Sequence, residues 1–171
     1  MFLVYGGEDE LSVRGYTDAS YLNDLDDSRL QYGYVFVMNG GAMSWKSSKQ
    51  DTVASSSTEA EYIAASEAAK EPVWIRNFLI ALCVVQGASN PMDVYCDNNG
   101  AIAQAKEPRQ HQKNKHIRMC YHQIREFVED GSVMICKIHT DSNVADPLTK
   151  PLLQPAHEVH TRAIDIRYIL D

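Results

Sequence analysis

The sequence has no apolar run near the ~20 residues that cross a bilayer. Nor does Met1–Glu8 carry a basic segment followed by an apolar stretch, so neither a membrane span nor a secretory signal is expected. There is no C-x-x-C pair. The four cysteines, Cys83, Cys96, Cys120 and Cys136, lie in apolar segments and read as reduced core residues, not as disulfide or zinc ligands. Positive charge is also short: the net charge is −7, which counts against a strong general polyanion binder. What remains is the composition of one folded domain. With 171 residues, 44% of them apolar and 23% charged, the chain can bury a core and is not generally disordered.

The charge is uneven. Between residues 106 and 118 stand Lys106, Arg109, Lys113, Lys115 and Arg118, with His111 and His116 and one acid, Glu107. Such a strip on an acidic chain suits a polyanion held locally; its plainer role is a solvated helix entry. The acids of Asn23–Ser28 read as a solvent-facing loop.

Taken in order, residues 1–10 read as a leader or the remnant of a neighbouring domain. A strand is expected at Val13–Thr17. Tyr32–Met38 and Ala42–Lys46 form a hairpin around Asn39-Gly40-Gly41, whose residues favour the positive φ of a tight turn. Ser56-Ser57-Thr58-Glu59 fits a capping box and opens a helix through Ala60, Ile63, Ala64 and Ala68. Pro72 breaks it near Glu71. A second segment to Val85 is expected to turn Trp74, Phe78, Leu79 and Leu82 inward. Met92–Cys96 is a strand reached through helices, hence parallel to the first. Asn98–Ala105 is a short helix. Lys115–Asp130 is a clear amphipathic helix closed by Gly131. Val133–Ile138 is the last strand, and Asn143 caps a helical stretch containing Asp146. The expected fold is α/β: a mixed five-stranded sheet, three antiparallel then two parallel strands, with helices on both faces. The domain is placed at residues 11–150, with 151–171 as a tail packed on it or free.

In open α/β sheets, sites form beyond the carboxyl ends of strands. Asp18 and Asp97 fall at such ends, and Glu59 and Asp146 in first helical turns. Each has a plainer role: turn or N-cap acid for Asp18 and Asp97, capping-box acid for Glu59, dipole-stabilised acid for Asp146. Brought together, they demand cations. Two carboxylates about 4 Å apart repel by about 4 kcal/mol at an effective dielectric of about 20. An all-oxygen donor set favours Mg²⁺ or Mn²⁺ over Zn²⁺. Two such ions about 3.5–4 Å apart serve phosphodiester hydrolysis.

At these residues the chain resembles the ribonuclease H domain of copia-type LTR retrotransposon Pol polyproteins, plant elements above all. The resemblance is carried by Tyr16-Thr17-Asp18-Ala19, Ser57-Thr58-Glu59-Ala60-Glu61-Tyr62, Tyr95-Cys96-Asp97-Asn98-Asn99 and Asn143-Val144-Ala145-Asp146-Pro147-Leu148-Thr149-Lys150. Gly33–Phe36, Ser44–Gln50 and Lys115–Glu126 add to it, so that it spans about Leu11 to Tyr168.

The resemblance implies hydrolysis of the RNA strand of an RNA–DNA hybrid during reverse transcription, leaving 3′-hydroxyl and 5′-phosphate ends. It implies two Mg²⁺ ions, replaceable by Mn²⁺, on Asp18, Glu59, Asp97 and Asp146. Glu61 is the rival of Glu59, but Glu59 is taken as the acid that opens the helix in the matching register. Ser57, Thr58 and Asn99 are implied substrate contacts, joined by Lys113, Lys115 and Arg118 of the basic strip. His139 matches a mobile histidine that moves protons or aids product release; its plainer role is a surface residue at a strand end. The implied partners are the hybrid and the reverse transcriptase domain of the same polyprotein, with the isolated domain monomeric and no membrane involved. The implied location is the cytoplasm, in a virus-like particle, and the nucleus. Two alternatives stay open: an integrase-like nucleotidyl transferase, disfavoured by the acid order Asp, Glu, Asp, Asp, and a non-catalytic tether. Pro72 and Leu30-Gln31-Tyr32 depart from the family pattern.

Overall fold

The computed structural model describes residues 1–6, 12–20, 30–51, 53–83, 91–106 and 115–168, with the side chains of 115–121 excepted. The acidic loop 23–28 and most of the basic strip, including Lys113 and the side chains of Lys115 and Arg118, lie outside the described residues.

Three antiparallel strands come first. β2 (Val13–Ser20), β3 (Gln31–Met38) and β4 (Gly41–Lys49) pair in sequence. The turn between β3 and β4 holds Asn39 at φ 52° and Gly40 at φ 82°, the twist that matches flanking strands. β5 (Met92–Cys96) then pairs parallel with β2, and β6 (Val133–Lys137) parallel with β5. The order across the sheet is β4-β3-β2-β5-β6, the expected mixed α/β sheet.

The long helices gather over one face and the 3-10 turn Asp146–Leu148 lies against the other. α1 (Ser57–Ala68), α3 (Asn99–Lys106) and α4 (Lys115–Glu129) lie over one face. The main core forms there: Phe36, Tyr62, Ile75, Val94, Ile124 and Ile135 are all essentially sealed from water. The other face is thinner. Val35, Ala42, Val144 and Ala145 pack there with Tyr16, Leu148 and Ile164. Gly131 takes φ 74° after α4, as its left-handed cap position requires.

The helix break lands at Ala69, between α1 and α2 (Lys70–Leu82). Pro72 has no N–H for the carbonyl of Ala68, so the first helix cannot run through. The second segment restarts with Pro72, Ile75 and Leu79 buried. This inverts one expectation. Trp74 and Phe78 stack on each other at 5.4 Å on the outer face, and both are exposed, as is Leu82. Apolar residues fall on every side of the segment, between Lys70, Glu71, Arg76 and Asn77, so pattern could not choose its inner face. Cys83 is likewise exposed, not core.

The ends of the chain meet. β1 (Phe2–Leu3) pairs antiparallel with β7 (Ile166–Arg167), which follows α5 (Gln154–Ala163). Tyr5 donates its hydroxyl proton to the Ala42 carbonyl at 2.6 Å, and Ala42 N donates to Ile164 O at 3.3 Å. Residues 2–5 and 164–167 thus bind the β3–β4 turn rather than trailing free. Among the described residues no helix is long and apolar enough to cross a membrane.

Candidate metal centre

Asp18 sits near the end of β2, on the face shared with Tyr16 by two-residue alternation, and is 2% exposed. Its cross-strand partner is Gly33. A Cβ on Gly33 would stand 2.6 Å from Leu148 Cβ. The missing side chain therefore lets the 3-10 turn Asp146–Leu148 close onto the strand beside Asp18. Asn143 secures the approach from below, donating from Nδ2 to Thr17 O at 2.9 Å while its Oδ1 accepts from Ala145 N at 3.3 Å. Ser47 Oγ donates to Leu148 O at 2.6 Å from the sheet edge. Thr149 completes the seam: its hydroxyl donates to Asp18 Oδ2 and also lies 3.1 Å from Asp146 O.

Asp146 is buried. Lys150 Nζ lies 3.0 Å from its Oδ2, while its Oδ1 is buried with no hydrogen-bond partner among the described residues. Asp97 follows β5 and is half-buried; Lys137 Nζ donates to its carbonyl oxygen at the rim. Asn98 caps α3, accepting from Ala101 N at 3.0 Å.

The glutamate differs from the expectation. Ser56 caps α1, accepting from Glu59 N at 3.2 Å, and the Glu59 carboxylate turns back to Ser55, its Oε2 accepting from Ser55 N at 2.6 Å and from Ser55 Oγ. Glu59 is therefore a structural cap. Glu61 instead turns toward the sheet end. Its Oε1 accepts from Ala19 N at 3.3 Å, and its charge faces Asp18 and Asp97. Residues two apart on a helix point roughly 200° away from each other, so only one of the two glutamates can reach β2. The pocket's four acids are Asp18, Glu61, Asp97 and Asp146.

The electrostatics follow from the crowding. Burial raises the Asp18 carboxyl from 3.8 to about 6, with the Thr149 bond and Lys150 pulling down and Asp146 and Asp97 pushing up. Burial, then Asp18 and Asp97, push Glu61 from 4.5 up to about 9. Burial, then Glu61, push the Cys96 thiol up to about 12. Burial opposes the charge on Lys150, yet Asp18 and Asp146 outweigh it and hold its ammonium above the ordinary value. The like charges therefore meet one lysine inside the pocket and one at its rim.

The other expected site residues are placed as follows. Ser57 and Asn99 are exposed at the first positions of α1 and α3, and Thr58 is half-buried. A Cβ on Gly100 would stand 2.8 Å from Thr58 Cγ2, so these two helix N-termini touch and form one polar rim. His139 follows β6 on an exposed loop; its Nδ1 accepts from Asp141 N at 3.3 Å and lies 3.4 Å from Asp141 Oδ2.

No family model matches the chain. Curated relatives do. The chain is 46% identical over 148 residues, 86% of its length, to the Pol polyprotein of the tobacco (Nicotiana tabacum) transposon TNT 1-94. It is 37% identical over 156 residues to that of the Arabidopsis thaliana transposon RE2. The chain is similar to one stretch of retrotransposon Pol polyproteins, and its fold is ribonuclease H-like. It spans about 11% of the length of these two relatives. Solved structures agree on the fold. The ribonuclease H1 of the archaeon Halobacterium salinarum superposes with a TM-score of 0.55 at 16% identity, covering 81% of this chain and 94% of that one. The LC11 ribonuclease H1, solved in complex with an RNA/DNA hybrid, gives 0.56 at 15% identity over 81% of this chain and 94% of that one. The N-terminal ribonuclease H domain of Rv2228c from Mycobacterium tuberculosis gives 0.54 at 14% identity, over 90% of this chain and 99% of that one.

Proposed function

We propose that this ribonuclease H-like domain is a divalent-metal-dependent endonuclease that hydrolyses the RNA strand of RNA–DNA hybrids in reverse transcription. The observation that carries the reading is the convergence of Asp18, Glu61, Asp97 and Asp146 from β2, α1, β5 and the turn after β6. The pocket fits hard cations: its carboxylates are all oxygen donors, Lys150 offsets their mutual repulsion only in part, and Asp146 Oδ1 is a buried acceptor with no donor among the described residues.

Asp18, central to the pocket, would be shared between two ions, with Asp146 on one side and Glu61 and Asp97 on the other. Mg²⁺ or Mn²⁺ bound there supplies charge neutralisation and an acidified water at the scissile phosphate. The chain's own residues do the rest. Thr149 fixes the rotamer of Asp18. Lys150 screens the cluster until cations enter. The exposed Ser57 and Asn99 and half-buried Thr58, at two adjoining helix N-termini, present backbone and side-chain donors suited to phosphate oxygens. Lys113, Lys115 and Arg118 extend that contact along the nucleic-acid backbone. His139 carries a proton at the edge of the site or eases product release. The partner in the polyprotein is the reverse transcriptase domain, in a cytoplasmic particle and then the nucleus, and the domain alone is monomeric.

The test is cleavage of an end-labelled RNA strand annealed to DNA, in Mg²⁺ or Mn²⁺. Internal cuts in the RNA alone, with 3′-hydroxyl ends, are expected. Hybrid that is bound yet never cut would make the domain a tether. Strand joining on duplex DNA would make it a transferase.

A further inference from the structure

Gln50 follows β4 directly and is sealed from water, 1% exposed. A buried amide needs hydrogen-bond partners on both its nitrogen and its oxygen. Here only the nitrogen has one. Nε2 donates to Ala60 O at 2.9 Å, a bond that is itself buried, while Oε1 is buried with no hydrogen-bond partner among the described residues. A methionine would fill the same space and orphan no oxygen. The side chain is kept for one bond.

That bond ends on a particular peptide. The Ala60 carbonyl and the Glu61 N–H belong to one planar unit, so the Gln50 amide grips the link that leads into Glu61. The helix does not need the bond, since a carbonyl inside α1 already accepts from the amide four residues on. Gln50 is fixed at its other end as well. Its own N donates to Leu30 O at 2.7 Å, and Gln31, next in the chain, pairs with Ser20 at the end of β2. Leu30, Ala54, Ala60 and Ile63 close a small apolar cluster there, with Ala19 packed against it. Gln50 thus ties the end of β2, where Asp18 stands, to the peptide that carries Glu61. The Glu61 side chain is lightly held by comparison: Oε1 accepts from Ala19 N at 3.3 Å, and Cys96 Sγ lies 4.0 Å from Oε2. Where its carboxylate comes to rest therefore depends on where its backbone is pinned.

We infer that Gln50 is a positioning residue: through the Ala60 carbonyl it sets how far Glu61 reaches toward Asp18 and Asp97. It touches neither ion nor substrate and acts only through Glu61. The inference rests on the reading of Glu61 as a metal ligand.

The test is Mn²⁺ binding to the whole chain without substrate, read from the paramagnetic resonance of the free ion. Gln50→Met keeps the volume and removes the amide. It is expected to melt in EDTA at or above the wild-type temperature, yet to bind Mn²⁺ about tenfold more weakly. A double-mutant cycle separates positioning from a general loosening of the fold. In a Glu61→Gln chain, adding Gln50→Met should leave the remaining Mn²⁺ affinity unchanged, because the group it positions is gone. In the cleavage assay kcat should fall while the KM for hybrid stays. Wild-type Mn²⁺ affinity in Gln50→Met overturns the inference, and so does an equal loss in the Glu61→Gln background. Should Gln50→Met fail to fold, Gln50→Glu, which keeps the shape and lacks the amide donor, takes its place. If neither folds, Gln50 serves the fold alone and the inference falls. Glu61→Gln by itself judges the underlying reading: wild-type Mn²⁺ affinity there removes Glu61 from the metal centre. Mn²⁺ binding that depends on Gln50 through Glu61, in a chain that never cuts hybrid, keeps the inference and loses the nuclease.

Discussion

Of the places among the described residues that bury acid, two are settled in opposite ways. Near the β3–β4 turn, Asp165 is almost sealed, and its carboxylate is met by Arg167 from two residues on, with Nε 2.8 Å away. At the other end of the sheet, Asp18, Glu61 and Asp146 are buried and Asp97 half-buried, with Lys150 inside and Lys137 at the rim. The first arrangement closes its own charge balance and belongs to the fold. The second does not. Chains keep an unbalanced buried cluster at a cost in stability, and such clusters concentrate where a ligand completes the balance.

The sharpest way to break this contrast is to remove the central charge. Asp18→Asn is expected to lower Mg²⁺-dependent cleavage of hybrid by about a thousandfold or more. Its melting temperature in EDTA should stay equal or rise, because a repelled acid has gone. Unfolding of this variant would place Asp18 with Asp165, as a structural acid.

Next comes the choice within one helix turn. Glu61→Gln is expected to abolish cleavage and keep the fold. Glu59→Gln should cost about 1 kcal/mol through its lost cap and still cut. Kinetics and denaturant melts on both variants check this, and the reverse pattern would restore Glu59 to the site.

Third is pH. Asp18 and Glu61 titrate in the fold at about 6 and about 9, above their unfolded values of 3.8 and 4.5. The folded, ion-free chain therefore holds more protons than the unfolded chain between those limits, and stability falls as pH rises through the folded values. Thermal melts in EDTA from acid to alkaline pH should show the fall, Ca²⁺ should oppose it, and Glu61→Gln should flatten it. A melting temperature that climbs over the same range would contradict the crowding.

The smallest effect belongs to the balanced acid. Asp165→Asn, whose partner Arg167 is half exposed, should cost about 1 kcal/mol or less and leave cleavage alone.

What sequence could show was local. Asn39-Gly40 marks its own turn, Ser56 its own cap and Gly131 its own helix end, because each needs only neighbours to act. The alternation of the Tyr32–Met38 run and the stripe of Lys115–Asp130 carry their partners' direction with them. Asp18 and Asp97 could be placed at strand ends from pattern alone; Asp146 lies in a 3-10 turn that Asn143 was expected to cap, whereas Ala145 stands at its N-cap and Asn143 instead ties Thr17 O and Ala145 N. Glu61 was not legible, because which face of α1 meets Ala19 depends on docking 42 residues away in sequence. The same holds for Trp74 and Phe78. Apolar residues fall all round their helix, and the restart at Pro72 decides which side is buried. Pairing of Phe2-Leu3 with Ile166-Arg167 joins the two ends of the chain, a contact no window of sequence contains.

The most direct measurement of the central claim is anomalous diffraction from a crystal soaked in Mn²⁺. Peaks should stand between Asp18 and the Glu61–Asp97 pair and between Asp18 and Asp146, with Lys150 Nζ moved off Asp146 Oδ2. Full Mn²⁺ exposure with no peak against Asp18, or a peak held by Glu59 instead, would contradict it.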